Sequence, residues 1–333
     1  MKYYLTFLVG VLSIWIYYMT SNNLFYLFEK NWVVSLTMVF GSFVAGATSE
    51  GGGAVAFPVF TLLLDISPSI ARNFCFAIQS IGMTSASLLI IGMKIPVEWK
   101  SIRFASIGGF LGLVFGIYLL DGIFPPKIIK LLFVSLWLSF AIALYLLNKN
   151  KNREIIDKII TLDKIEVIKL IVFGFIGGVI TSFFGDGVGI FTFCLLTLHY
   201  KINEKIATPT AVVLMTINTL IGFFMHVFIL KDFQPVAFNY WLCAIPFVML
   251  FAPLGAYLIT LVTRNVVTNF LYIVTIIQYL GAIIILKPSL YLCGISFSII
   301  VFGYLFFRVL SKTKNRTISI SNNSNPYLEK NQI

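Results

Sequence analysis

The chain alternates long apolar stretches with short polar connections over most of its length. Apolar runs lie at about 5–20, 33–64, 70–92, 101–122, 128–147, 168–200, 205–230, 237–262, 267–286 and 289–307. About 20 apolar residues are enough for one helix to cross a bilayer. The pattern therefore predicts an all-α polytopic membrane protein with eight single crossings and two segments that are too long for one.

Glycine interrupts each of the two over-long runs near its middle. Residues 50–53 read EGGG and are called the first glycine break, and residues 185–189 read GDGVG and are called the second glycine break. Unwound backbone inside a membrane needs polar partners, so it occurs where protein or a water-filled cavity covers it. Each run is therefore predicted to form a helix–break–helix hairpin or two short passes.

The charges of the connections set the predicted orientation. Basic residues are concentrated in 148–169 and in the tail after Arg308, and cytoplasmic loops carry an excess of such residues. Counting crossings back from a cytoplasmic tail places 203 on the inner side, and the basic connection that ends at 169 is on the inner side as well. The run between them must then enter and leave on that side, and the same counting makes 33–64 a same-side hairpin with both termini cytoplasmic.

An internal repeat relates the two broken runs. A shift of 136 positions aligns Glu50 with Asp186 and Ser67 with Asn203, without a gap. Each half then contains one hairpin and three crossings, and because three is odd the halves lie in opposite orientations. The predicted fold is two inverted repeats with an extra helix at each end, an arrangement of transporters that bind substrate near the midplane.

The predicted organisation follows from these boundaries. Residues 1–32 hold an uncleaved first transmembrane helix and its connection, because no A-x-A-like cleavage site follows the apolar run. The remaining parts are repeat 1 at 33–147, a cytoplasmic basic linker at 148–167, repeat 2 at 168–286, a last transmembrane helix at 287–310, and a disordered cytoplasmic tail, polar and rich in Asn and Ser, at 311–333.

Composition argues against a soluble protein, a nucleic-acid-binding protein and a protein stabilised by disulfides or metal. The chain has 59% hydrophobic and 11% charged residues, against about 25% charged residues in soluble domains. The net charge of +11 is explained by positive-inside placement, without a nucleic-acid partner. Four cysteines without CxxC spacing and two isolated histidines predict no disulfide framework, no metal site and no cofactor.

The glycine breaks are the most informative candidates for a binding site. The helix that leaves each break directs free N–H groups and a positive dipole end towards the interior, which suits an anion. The alternative is that the glycines only allow close helix packing. The predicted substrate-binding glycines are Gly51, Gly52, Gly53, Gly187 and Gly189.

Glu50 and Asp186 are the acids deep inside apolar segments. Burial of a charged carboxylate costs several kcal/mol, which favours the protonated form and makes both residues candidates for proton coupling. Either could instead cap the helix that follows it, and a pair of buried acids could also serve a cation carrier. These roles stay open at this stage.

Four further polar residues are candidates for substrate binding. Arg72 lies at a predicted outer helix start, where it could pair with Asp65 across a short turn or attract an anion at the outer mouth. Gln79, Thr208 and Thr210 lie on the helices that follow the two hairpins. Such side chains often serve as hydrogen-bonding contacts between helices instead.

The same motifs resemble the TauE/SafE family of sulfite and organosulfonate exporters. The first copy is carried by residues 46–58 and 71–87, the second by 178–189 and 207–210, and the resemblance spans about 33–286. The second copy departs where Val188 interrupts the glycines and where Cys194 aligns with Pro58. The resemblance implies a transporter of small sulfur-containing oxyanions.

The sequence therefore predicts a secondary transporter of the cytoplasmic membrane that exports sulfite or an organosulfonate, coupled to protons. It predicts no enzyme, because the two distant histidines offer no catalytic pair, and no nucleotide-binding loop of the G-x-x-x-x-G-K-[ST] type occurs. The alternatives are a cation or metal-ion carrier that uses Glu50 and Asp186, and an intramembrane protein without transport activity.

Overall fold

The computed structural model of the chain describes residues 2–149, 155–159 and 162–312. This part is helical and contains no strand, and one isolated bridge pairs Ile156 with Ile202. Residues 150–154 and 160–161 of the predicted linker lie outside the described residues, as does the predicted tail from 313 onward.

Thirteen α-helices make up the described part of the chain. They are α1 (Lys2–Ser21), α2 (Tyr26–Lys30), α3 (Trp32–Ala47), α4 (Gly53–Pro58), α5 (Pro68–Gly92), α6 (Trp99–Leu119), α7 (Pro126–Asn148), α8 (Lys164–Phe184), α9 (Val188–Cys194), α10 (Glu204–Phe224), α11 (Pro235–Leu261), α12 (Arg264–Leu286) and α13 (Leu290–Lys312). Nine of the described helices, namely α1, α5 to α8 and α10 to α13, are long and apolar enough to cross a membrane. The all-α polytopic fold is thereby confirmed.

Both broken runs fold as helix–break–helix units. The first is α3 followed by α4, and the second is α8 followed by α9. Each short helix continues into one π-helical turn, at Val59–Leu63 and at Leu195–His199. These two turns begin 136 positions apart, the shift that aligns the breaks. The helix bounds fit the predicted repeat, while its inversion across a bilayer stays a prediction.

The first arm of each hairpin packs at short distance against a helix of the other half. A Cβ atom on Gly112 of α6 would lie 2.0 Å from the carbonyl oxygen of Phe175 on α8. In the other half, a Cβ atom on Gly46 of α3 would lie 1.9 Å from the carbonyl oxygen of Ala252 on α11. Only a residue without a side chain permits such backbone contact. The two halves are thus held together through both hairpins.

The connections gather at two ends of the helix bundle. At one end His199 Nε2 lies 3.4 Å from Glu166 Oε2, so the second hairpin begins and finishes at the same end. The N–H of Ile159 in the linker donates to Glu98 Oε2 at 3.0 Å at this end. At the other end Arg72 joins the connections after α6 and after α10. This grouping fits the loop sides predicted from charge, whose assignment to cytoplasm or exterior stays a prediction.

Candidate functional site

The two glycine breaks meet inside the protein. A Cβ atom on Gly51 would lie 2.1 Å from Asp186 Oδ2, and one on Gly53 would lie 3.0 Å from Asp186 Cβ. From the second break, a Cβ atom on Gly189 would lie 3.1 Å from the carbonyl oxygen of Ser49, next to the first break. The structure therefore brings the two predicted acids and three of the predicted glycines together.

The carboxyl group of Glu50 is buried and held by a helix of the other half. Its Oε1 accepts a hydrogen bond from Thr275 Oγ1 at 2.8 Å, and its Oε2 faces Gln278 Nε2 at 3.5 Å. Both partners lie on α12 and are neutral. Asp186 of the second break lies beside Gly51, the residue that follows Glu50, and two buried carboxyl groups in one region disfavour two negative charges at once.

Asp186 is equally buried but has a different surrounding. Within the described residues, neither of its carboxylate oxygens has a hydrogen-bond partner, and the nearby N–H of Gly187 does not meet hydrogen-bond geometry. A buried acceptor without a partner is costly, and a proton on the carboxyl group relieves part of that cost.

Helix capping was the alternative role for both acids. In the part of the chain that the structure describes, neither α4 nor α9 has a side-chain hydrogen bond at its N-cap. The N–H of Val188, in the first turn of α9, donates instead to Thr181 Oγ1 at 3.0 Å. The geometry therefore gives no support to capping by Glu50 or Asp186.

Gln79 on α5 links the two breaks. Its Nε2 donates to the carbonyl oxygen of Gly185 at 2.9 Å, and the same atom would lie 3.5 Å from a Cβ atom on Gly53. Its Oε1 is buried without a partner among the described residues. The corresponding position on α10 is Met215, whose sulfur would lie 2.5 Å from a Cβ atom on Gly189. Gln79 is thus a polar side chain at the junction of the breaks, and its role in substrate binding stays a prediction.

The space at the first break is small in this conformation. A cavity of about 10 Å³ is lined by Gly52, Gln79 and Ser42 together with apolar residues of α3, α5 and α11. That volume accommodates about one water molecule. A larger molecule could bind at this place only if the helices around the break separated.

Arg72 lies beside the second break, where a Cβ atom on Gly185 would lie 2.8 Å from its carbonyl oxygen, and its side chain is in a cluster of polar groups. Its Nη1 contacts Asp121 Oδ1 at 2.8 Å and its Nη2 lies 3.8 Å from Asp232 Oδ2. Asp232 also contacts His226 Nδ1 at 2.8 Å. The pairing with Asp65, one of the two alternatives for Arg72, is therefore wrong: Asp65 lies 3.8 Å from Lys130 Nζ instead. Sequence proximity suggested Asp65, but α5 and α6 both pack against α8, which brings Asp121 to Arg72.

The two threonines lie away from the breaks. Thr210 accepts a hydrogen bond from the N–H of Glu98 at 2.9 Å, near the linker end of the bundle. Thr208 is buried, and within the described chain its hydroxyl has no partner. It precedes Met215 by seven residues, about 10 Å along a helix. Gly187 faces α8, because a Cβ atom there would lie 2.7 Å from Ile180 Cγ2.

Thr275 and Gln278 were not among the site residues predicted from sequence. Both are polar side chains three residues apart on α12, whose candidate membrane span is mostly exposed. Residues with this spacing lie on one helix face, and a lone polar pair in an apolar run was the signal that could have identified them. In the described ranges there is no group of three or more His, Cys, Asp and Glu side chains that could hold a metal ion.

Comparison with known proteins agrees with the motif resemblance. The family model described as Sulfite exporter TauE/SafE matches residues 34–284. No curated protein and no solved structure matches the chain. The matched region begins in α3 and reaches into α12, so it contains both glycine breaks and the helices around them.

Proposed function

This chain belongs to the TauE/SafE family, and we propose that it exports a small anion, sulfite or an organosulfonate, as a proton-coupled secondary transporter. Family membership and the nine long apolar helices support a multi-pass membrane transporter. The substrate, the coupling ion and the placement of both termini in the cytoplasm belong to the proposal. The proposed membrane is the cytoplasmic membrane.

The observation that carries the proposal is the meeting of the two glycine breaks, each with a buried carboxyl group, of which that of Asp186 has no hydrogen-bond donor among the described residues. An anion beside two carboxylates would be repelled. When Asp186 carries a proton its hydroxyl becomes a donor, and the charge that opposes the anion disappears. Binding of the proton and of the anion would then favour each other, which is the linkage that coupled transport requires.

The proposed anion site consists of the first and second glycine breaks and Gln79. The N–H groups at the starts of α4 and α9 would supply donors, and Gln79 Nε2 could exchange its bond to Gly185 for one to the anion. Arg72 would act later, at the end of the bundle, where a departing anion competes with Asp121 for the guanidinium group. We leave Thr208 and Thr210 out of this site because neither lies near the breaks.

The decisive experiment measures sulfite flux in proteoliposomes under an imposed pH gradient. We expect the wild type to move sulfite in a gradient-dependent way and Asp186→Asn to lose that dependence. An amide at 186 removes the titrating proton while keeping size and hydrogen-bonding capacity. Thr268→Val is the matched control, because Thr268 Oγ1 bonds to Asn265 O within α12.

The outcomes separate the proposal from its rivals. Gradient-dependent flux that persists unchanged in Asp186→Asn and in Glu50→Gln would refute proton coupling by these acids. A folded wild type that moves neither sulfite nor an organosulfonate such as taurine would refute the substrate class. For a cation carrier, both amide variants should abolish cation binding, whereas an anion carrier should retain anion binding and lose only its coupling.

A further inference from the structure

The carboxyl group of Glu50 contacts a hydroxyl group that has more than one acceptor. Thr275 Oγ1 lies 2.8 Å from Glu50 Oε1 and 2.8 Å from the carbonyl oxygen of Leu271, one turn earlier on α12. A hydroxyl group has a single proton to donate but can also accept. It therefore cannot satisfy both oxygens at once while both are acceptors.

The protonation state of Glu50 decides which bond the hydroxyl group makes. When Glu50 is ionised, Thr275 donates to Oε1, and Leu271 O is left without this donor. When Glu50 carries a proton, it donates to Thr275 Oγ1, and the hydroxyl proton turns to Leu271 O. The same two contacts thus serve both states without movement of heavy atoms.

The second partner on α12 has the same versatility. Gln278 Nε2 faces Glu50 Oε2 at 3.5 Å, and its Oε1 is buried without a partner in the described part of the chain. If the proton of Glu50 were on Oε2 instead of Oε1, rotation of the amide would present an acceptor to it. The titratable group of the second break, Asp186, lies beside Gly51, the residue that follows Glu50. A lysine or arginine in place of either α12 residue would instead fix Glu50 as an anion.

We propose that Thr275 is a positioning residue for proton exchange at Glu50: its hydroxyl changes between donor and acceptor as Glu50 loses and gains its proton. Because Thr275 lies on α12, this change links the state of the first break to a helix of the other half. The proposal rests on the proposed function, in which Glu50 takes part in proton coupling. The proposal adds Thr275 as the group whose hydrogen bond depends on the protonation state of Glu50.

The test follows the protonation of Glu50 directly, by infrared difference spectroscopy of the full-length protein in liposomes during a pH titration. The C=O stretch of protonated Glu50 is assigned as the band that disappears in Glu50→Gln. We expect Thr275→Val, which removes the hydroxyl with little change of volume, to move this band in frequency. Its midpoint should move to higher pH.

The direction follows from the strengths of the two bonds. A hydrogen bond to an ionised carboxylate is about twice as strong as one between neutral groups, so loss of the hydroxyl harms the ionised state more. We expect a roughly three- to tenfold change in the proton equilibrium, about half to one pH unit. Thr275→Ser keeps the hydroxyl and should restore the wild-type midpoint. Thr268→Val should leave it unchanged.

Each outcome bears on one proposal. An unchanged band and midpoint in folded Thr275→Val overturn the role of Thr275, whatever the flux assay gives. Absence of any band that depends on Glu50 throughout the titration also overturns it. A shifted midpoint in a protein that moves no sulfur oxyanion supports Thr275 and refutes the proposed substrate. If Thr275→Val does not fold, Thr275→Ala removes the same hydroxyl without filling new space.

Discussion

The contact between the two breaks predicts opposite effects for one substitution at adjacent positions. Gly51 has φ of +70°, whereas Gly52 has φ of −68° and ψ of −26°. An added Cβ atom would lie 2.1 Å from Asp186 Oδ2 at position 51, and no closer than 3.4 Å to Ile78 Cδ1 at position 52. Gly51→Ala and Gly52→Ala therefore make the same chemical change in two different environments.

The expected magnitudes follow from these geometries. An L-residue in the left-handed region costs about 1–2 kcal/mol, and moving the Asp186 side chain out of its rotamer adds about 1 kcal/mol. Gly51→Ala should thus lower the free energy of unfolding by about 2–3 kcal/mol. Gly52→Ala places alanine in a helical conformation with ordinary contacts, so it should be neutral or stabilise by up to about 1 kcal/mol.

The assay is thermal unfolding of the detergent-solubilised protein with a dye that becomes fluorescent on reaction with thiols. Cys75, Cys194 and Cys243 are buried and react only on unfolding, whereas Cys293 is partly exposed and gives the baseline. We expect the apparent Tm of Gly51→Ala to lie on the order of 3–6 °C below that of Gly52→Ala. Equal Tm values would refute the close approach of Gly51 to Asp186.

Two further contacts make predictions of the same kind. In a double-mutant cycle of Arg72→Gln and Asp121→Asn, we expect a coupling free energy of about 1–2 kcal/mol, because the Asp121 carboxylate is half-exposed. Additive effects of the two substitutions on Tm would contradict the ion pair. Gly112→Val should destabilise by about 3 kcal/mol or more, because its side chain meets the backbone of Phe175. Gly10→Val meets no atom within 4 Å and should have little effect, so equal losses in the two valine variants would count against the α6–α8 contact.

The helices and both breaks could be predicted because their signals are local. The length of the apolar runs set the number of helices, and EGGG and GDGVG marked where each over-long run is interrupted. The shift of 136 positions found from sequence also relates the two π-helical turns, at Val59–Leu63 and Leu195–His199. Glycine content and run length determine backbone conformation within a few residues, so no knowledge of packing was needed.

The partners of the functional side chains could not be predicted in the same way. Thr275 lies 225 residues from Glu50 in sequence, and Asp121 lies 49 residues from Arg72. Such pairs depend on which helices pack together, which the apolar pattern leaves undetermined because nearly every face of each run is apolar. Asp65 was a reasonable expectation for Arg72 on proximity alone, and tertiary packing overrode it.

The two breaks are related by the predicted repeat but differ in the hydrogen-bond partners of their acids. Positions 139 and 142 of α7 correspond to Thr275 and Gln278 of α12, and they hold Ser139 and Ile142. The Ser139 hydroxyl donates to Leu136 O, and it lies where a Cβ atom on Gly303 of α13 would meet it at 2.3 Å. The extra helix α13 thus covers the face of α7 that holds Ser139.

Among the described residues, Asp186 consequently has no pair of hydrogen-bond partners like Thr275 and Gln278, although the shift of 136 positions aligns it with Glu50. A carboxyl group with neutral partners can exist in either protonation state at modest cost, whereas one without partners is forced towards the neutral state. This asymmetry predicts different roles for the two acids. Anion binding would require a protonated Asp186, whereas the protonation state of Glu50 would determine the hydrogen bond made by Thr275 on α12. Two reciprocal variants test these roles. Ile142→Gln, which places an amide on α7, should ease ionisation of Asp186, and Gln278→Ile should hinder ionisation of Glu50. The infrared band of each carboxyl group measures its ionisation. If neither band moves, the positions on α7 and α12 do not control the two acids.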